Sequence, residues 1–123
     1  MDTEIYRQAV RAVDIDALLT QFSADPTVHV PSRRAPFKGH DEVRAILQVA
    51  LGQFEDLDFT AEFAKENGYV LQFTARIGLE AARGVNILEL VDDKIVELTV
   101  MVQPYTADHS LRELMMLALE ETA

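Results

Sequence analysis

Apolar positions along this chain shift between two periods, and each shift predicts a new element. Over 4–13 (EIYRQAVRAV), Ile5, Ala9 and Ala12, with Tyr6, Val10 and Val13, fall at helical spacing. Asp14 and Asp16 then offer an N-cap and a first-turn carboxylate for a short second helix, Ala17 to Phe22. Asp25-Pro26 is read as closing that segment, since proline disfavours helix in the residue before it. Thr27 to Val30 predicts a short β-branched strand, and 32–39 a polar loop pinned by Pro36 and Gly39. Asp41 to Phe54 is again amphipathic, with Val43, Ile46, Leu47, Ala50, Leu51 and Phe54 on one face.

From Leu57 the period becomes two. Leu57, Phe59, Ala61 and Phe63 alternate with polar residues, as do Tyr69, Leu71, Phe73, Ala75 and Ile77 beyond an Asn67-Gly68 turn. Gly84 to Val91 and Lys94 to Gln103 flank a second tight turn, Asp92-Asp93. Ser110 to Glu121 predicts a closing helix with Leu111, Leu114, Met115, Leu117 and Ala118. The order αα–β–α–ββββ–α is α+β.

Strand 95–102 (IVELTVMV) is apolar on both faces. Simple alternation sends Ile95, Thr99 and Met101 one way, and Val96, Leu98, Val100 and Val102 the other. Burying one Val or Leu is worth ~1.5–3 kcal/mol, so the second face needs a cover. The candidates are the final helix and another subunit, and a homodimer through the sheet is the expected solution. Glu97 shares the face of Ile95, Thr99 and Met101, and the pattern leaves open whether that face is interior.

Composition narrows the picture further. A chain of 123 residues with 49% hydrophobic content is read as a single domain, 1–123, large enough for a real core. It holds no cysteine, which removes disulfide and thiolate chemistry. A formal net charge of -10 repels phosphate backbones and anionic lipid, so neither nucleic acid nor a membrane is expected as a partner. Asp2 and Glu4 stand where a signal peptide would need bases, and no apolar run approaches the ~18 residues of a membrane span. The expected location is cytoplasmic. Arg33-Arg34 with Lys38 is a local basic island, read either as solvated loop charge or as attraction of an anionic ligand to a pocket mouth.

The layout as a whole resembles a known family. A helical opening (Glu4 to Phe22) leads into Asp25-Pro26-Thr27-Val28-His29-Val30-Pro31, then a basic loop ending Pro36-Phe37-Lys38-Gly39-His40. A helix, apolar strands and a Met101-Val102-Gln103-Pro104 exit into a last helix follow. This order resembles the SnoaL-like branch of the nuclear transport factor 2-like superfamily, with a ketosteroid isomerase-like fold. The resemblance implies a cone-shaped, curved antiparallel sheet wrapped around helices, a cystatin-like roll with a pocket inside. It also implies lyase, isomerase or cyclase chemistry on an apolar, carbonyl-bearing, polyketide-like compound.

Ketosteroid isomerase combines a carboxylate base with a tyrosine and a protonated aspartic acid that hold the enolate oxygen. Laying Asp14-Ile15-Asp16 and Phe22 on the equivalent isomerase stretch places Tyr6 at the oxyanion tyrosine. The same resemblance puts Val30 at the base and Asn86 at the protonated aspartic acid. Val30 cannot remove a proton, and a positioned base typically contributes ~10²–10⁴-fold. Steroid isomerisation by that route is therefore disfavoured. Tyr6 and Asn86 can still donate hydrogen bonds to a carbonyl or enolate oxygen. Their plainer roles are a helix aromatic packed on the sheet and a satisfied structural amide.

His29 is a further candidate for proton transfer, although alternation turns it away from Val30. Phe22, Phe73, Leu88 and Met101 are the expected apolar lining. Asp14 and Asp16 read as helix caps, and His40 and His109 as surface or capping residues. The histidines show no HxH, HxxxH or HExxH spacing, so no metal is expected, and no nucleotide or serine-hydrolase motif occurs. No cofactor is implied. The partner expected is a small apolar ligand. The competing reading is a non-catalytic ligand-binding or dimerisation module, since fold does not dictate function.

Overall fold

Helices α1 (Thr3–Ala12) and α2 (Ile15–Leu19) open the chain in the computed structural model, which describes residues 1–31 and 33–122. Ser32 of the expected loop lies outside the described residues, as do the side chains of Tyr105, Asp108 and 119–122. Then come β1 (Phe22–His29), β2 (Phe37–Lys38), α3 (Gly39–Leu51), β3 (Phe54–Lys65), β4 (Gly68–Ile77), β5 (Glu80–Val91), β6 (Lys94–Gln103) and α4 (Tyr105–Thr122). Asp2 and Asp14 cap the first two helices, accepting from the Glu4 and Ala17 N–H groups at 2.9 and 3.1 Å. Between the helices Val13 takes a φ of 52°, which ends α1 and turns its side chain outward.

α1 buries Thr3, Tyr6, Ala9 and Val10, while Ile5, expected on the same stripe, sits on its flank and is exposed. α2 starts and stops earlier than 17–22, so Phe22 belongs to β1 and Asp25-Pro26 lies within that strand instead of ending a helix. Proline is tolerated there because the pairing of β1 with β6 is irregular between Phe22 and Thr27.

Six strands form one curved sheet in the order β2-β1-β6-β5-β4-β3. β3 to β6 run antiparallel, but β1 lies parallel to β6, with Val28 beside Leu98 and His29 beside Thr99. The sheet is therefore mixed, not purely antiparallel. Asp92-Asp93 form the expected two-residue turn, at φ of 51° and 65°. The preceding turns sit elsewhere than expected. Glu66-Asn67 joins β3 to β4, and Gly68 begins β4, where a Cβ would stand 1.8 Å from the Leu88 carbonyl oxygen. A further turn at Gly78-Leu79 lets β5 begin at Glu80, ahead of the expected Gly84.

Two register shifts decide which side chains face the helices. One on β3, between Phe59 and Ala61, leaves Phe59 opposite Phe73 but sends Phe63 outward beside Val70, 53% exposed. The other pairs Ile95 with Leu90 and Glu97 with Glu89, skipping Val96. Ile95 thus joins Leu98 on the inner face, both buried, and Glu97, Thr99 and Met101 face outward. The inner row is covered within one chain, by a core that includes Val43, Ile46 and Leu47 of α3 and Leu111 and Met115 of α4. Cover for that row therefore requires no second subunit.

Candidate functional site

The buried stripe of α1 sets the Tyr6 ring against the inner face, its centroid 6.3 Å from that of Phe59. On β5, alternation turns Asn86 inward beside Leu88, between Leu71 of β4 and Val100 of β6. The two polar groups meet: Asn86 Nδ2 donates to the Tyr6 hydroxyl oxygen over 3.0 Å, with Tyr6 1% and Asn86 5% exposed. Each offsets part of the other's desolvation. Their capacity is not exhausted, because the Tyr6 hydroxyl proton and, on Asn86, the second Nδ2–H and the side-chain carbonyl have no partner among the described residues. Burial pushes the Tyr6 phenol well above its ordinary pKa of 10.0, and the Asn86 hydrogen bond offsets only part of that. At neutral pH Tyr6 is a neutral hydroxyl.

This pair borders a cavity of about 30 Å³, otherwise lined by apolar side chains that include Val28, Val30, Phe54, Phe73, Leu98 and Met115. That is room for about one water molecule. Leu111 and Met115 bring α4 to the cavity wall. Val30 looks into the cavity, so the position matched to the isomerase base presents a methyl surface. Among the described residues no Asp, Glu, His or Lys lines it.

The other expected site residues scatter. Phe73 lines the cavity and packs over Gly84, where a Cβ would come within 2.8 Å of its ring. Phe22 and Leu88 are buried in the core without bordering the cavity. Met101 is 53% exposed on the outer face, beside an open furrow of about 420 Å³ that it shares with Gln72, Thr74, Arg83 and Gln103. It therefore does not line the interior. His29 also faces outward, its Nε2 2.9 Å from Glu97 Oε2, both half-buried. Glu97, paired there, cannot reach the cavity to replace the missing base.

The furrow is larger than the interior cavity, but it is open to solvent and encloses no buried donor. The smaller space carries the more specific chemistry. Asp14 acts as a cap, Asp16 pairs with Arg44 at 2.9 Å, and His40 Nε2 lies 2.9 Å from the Ser23 carbonyl. His109 pairs with Glu113 at 3.1 Å. Among the described residues no three potential metal ligands come together, and no helix is long and apolar enough to cross a membrane. Sequence reasoning missed Arg112, which the fold brings to the same cleft as Arg33. Their separation along the chain offered no signal for it.

Sequence comparison with curated proteins finds no match. Solved structures are closely similar. A steroid Δ-isomerase from Pseudomonas aeruginosa aligns with a TM-score of 0.89 at 28% identity, over 95% of this chain and 88% of that one. An uncharacterised protein with a cystatin-like fold from Silicibacter pomeroyi aligns at 0.90 and 20% identity, over 95% and 84%. A nuclear transport factor 2-like protein of unknown function from Cytophaga hutchinsonii aligns at 0.69 and 14%, over 84% and 88%. The last two likenesses concern the fold alone. Residues 3–98 match the SnoaL-like domain, and with that match over most of its length the chain belongs to the SnoaL-like family.

Proposed function

We propose that this protein binds a small apolar ligand bearing a carbonyl or similar oxygen, with that oxygen held by Tyr6 and Asn86. The observation that carries this reading is the buried pair itself. Two neutral donors with unused hydrogen-bonding capacity stand at the wall of an apolar cavity. Such groups are costly to bury unless something completes them. The cavity holds about one water as it stands, so a ligand enters by displacing side chains such as Leu111 and Met115 of α4.

The activity named for the Pseudomonas isomerase does not carry over unchanged. Val30 offers no base, and the carboxylate–imidazole pair of β1 and β6, His29 with Glu97, is on the other face of the sheet. The chain's own inner residues can polarise an oxygen but cannot take a proton. Lyase, isomerase or cyclase chemistry on a polyketide-like compound would therefore draw its base from the ligand or a bound water. The test is native mass spectrometry of protein from its own host, followed by a binding assay on Tyr6→Phe with Asn86→Leu. Co-purification of a small organic molecule, lost in the folded double variant, is the expected result. Unchanged affinity in that variant would sink the assignment.

A second reading, a dimerisation module, has its own support. Phe63, Val70 and Ile87 form an apolar row across the outer face, and Met101 and Val85 stand beside it. A homodimer through this face would cover the row. A monomer by sedimentation at working concentrations would remove that reading.

A further inference from the structure

The cations of this chain are unevenly served by its acids, although 21 acidic residues face only 11 basic ones. Arg7, Arg11, Arg44, Lys65 and Arg76 pair with Glu4, Asp58, Asp16, Glu89 and Asp56. Arg33, Arg34, Lys38, Arg83, Lys94 and Arg112 make no ion pair among the described residues, and of these Arg33 and Arg112, far apart in the chain, border one cleft. That cleft measures about 170 Å³ and is otherwise lined by Val30, Pro31, Phe37, Met115 and Met116. The Arg33 guanidinium lies 3.7 Å over the Phe37 ring. Stacking fixes its plane and leaves its N–H edges free for an anion. Val30, Pro31 and Met115 border both this cleft and the Tyr6–Asn86 cavity, so the two spaces share a wall.

We infer that the cleft is the entrance to the interior cavity, and that Arg33 and Arg112 recognise a carboxylate on the ligand. The ligand class is then a small apolar carboxylic acid, its body directed inward and its charged end held at the rim. The inference rests on the proposed interior binding and adds to it the identity of the outer group. A net charge of -10 repels carboxylates from most of this surface. Two arginines on one cleft attract a carboxylate there, and the apolar wall behind them accepts the rest of the molecule. Charge at the rim also sets orientation, since only one end of such a ligand can face the arginines.

Two probes of similar shape, each with an acetyl oxygen for the inner pair, separate this inference from the reading beneath it: 4-acetylbenzoate and the neutral ketone 1,4-diacetylbenzene, compared by calorimetry at low salt. The carboxylate is expected to bind about tenfold more tightly, the scale of a charge-assisted hydrogen bond weakened by solvent. Arg33→Gln with Arg112→Gln should abolish that preference and leave the neutral ketone's affinity unchanged. Both arginines are exposed, and a thermal melt of the double variant confirms that it folds. Equal affinity of the two probes, or a preference that survives loss of both arginines, overturns the entrance and leaves interior binding standing. Carboxylate binding that needs the arginines but ignores Tyr6→Phe with Asn86→Leu separates the cleft from the cavity and overturns the inference. Failure of both probes to bind at millimolar concentration counts against both.

Discussion

On the inner face of the sheet, Asn86 meets Tyr6 beneath the helices; on the outer face, Glu97 meets His29 within reach of water. The hydrogen bonds are of similar length, 3.0 and 2.9 Å, but their surroundings differ. The inner pair is neutral and fully enclosed, so what it leaves unsatisfied stays unsatisfied until something enters. The outer pair is ionisable and half-exposed, and solvent completes whatever the partner does not. Chemistry that looks stronger on paper, an imidazole beside a carboxylate, thus lies where water dilutes it. The weaker groups lie where each hydrogen bond counts.

The comparison breaks first if the two faces respond alike to truncation. Phe73→Ala should cost about 3–5 kcal/mol in denaturant unfolding. Val85→Ala, on the outer side of the adjoining strand, should cost under about 1 kcal/mol. Next, Asn86→Leu strands the Tyr6 hydroxyl in an apolar wall and should cost about 1–3 kcal/mol, much of it recovered when Tyr6→Phe is added. A double-mutant cycle reads that coupling directly, and additive costs would mean the pair is not a unit.

The alkaline limb sharpens the contrast. Tyr6 has a raised folded-state pKa, so below its ordinary value of 10.0 both states are protonated and its contribution is intact. Above that value the unfolded chain ionises first and stability falls, by about 1.4 kcal/mol per pH unit from this group. Denaturant melts from pH 9 to 11 should show a steeper fall for the wild type than for Tyr6→Phe. The smallest effect belongs to Glu97→Gln, a loss of about 0.2–1 kcal/mol in the same denaturant melts.

Much of this was legible in the sequence because it is local. The helix cap at Asp14 with its first-turn carboxylate Asp16, the Asp92-Asp93 turn and the period-two runs depend on neighbours a few residues away. Tyr6 and Asn86 were legible as a polar pair because the family's layout aligns them. The face of Glu97 was not, since it depends on Val96 being skipped in a register that only the partner strand reveals. Phe63 was misplaced for the same reason, through the shift before Ala61. Phe22 follows Leu18 and Leu19 at helical spacing, yet pairs with Ile95 as a strand residue. Arg112 joins Arg33 only through the packing of α4, and no spacing rule reaches that far.

The parallel contact of β1 with β6 also has a consequence in time. Thr27 pairs with Glu97 and Val28 with Leu98, so the earliest strand of this sheet to be synthesised waits for the latest. The β3–β6 hairpins close over short loops and can form early. Until residues 94–103 exist, β1 has no inner neighbour, and the wall formed by Val28, Leu98 and Val100 is incomplete. The cavity is therefore finished late, by β6 and then by Leu111 and Met115 of α4. A chain interrupted before β6 should have no chamber, and its unpaired strand would be left to seek partners elsewhere.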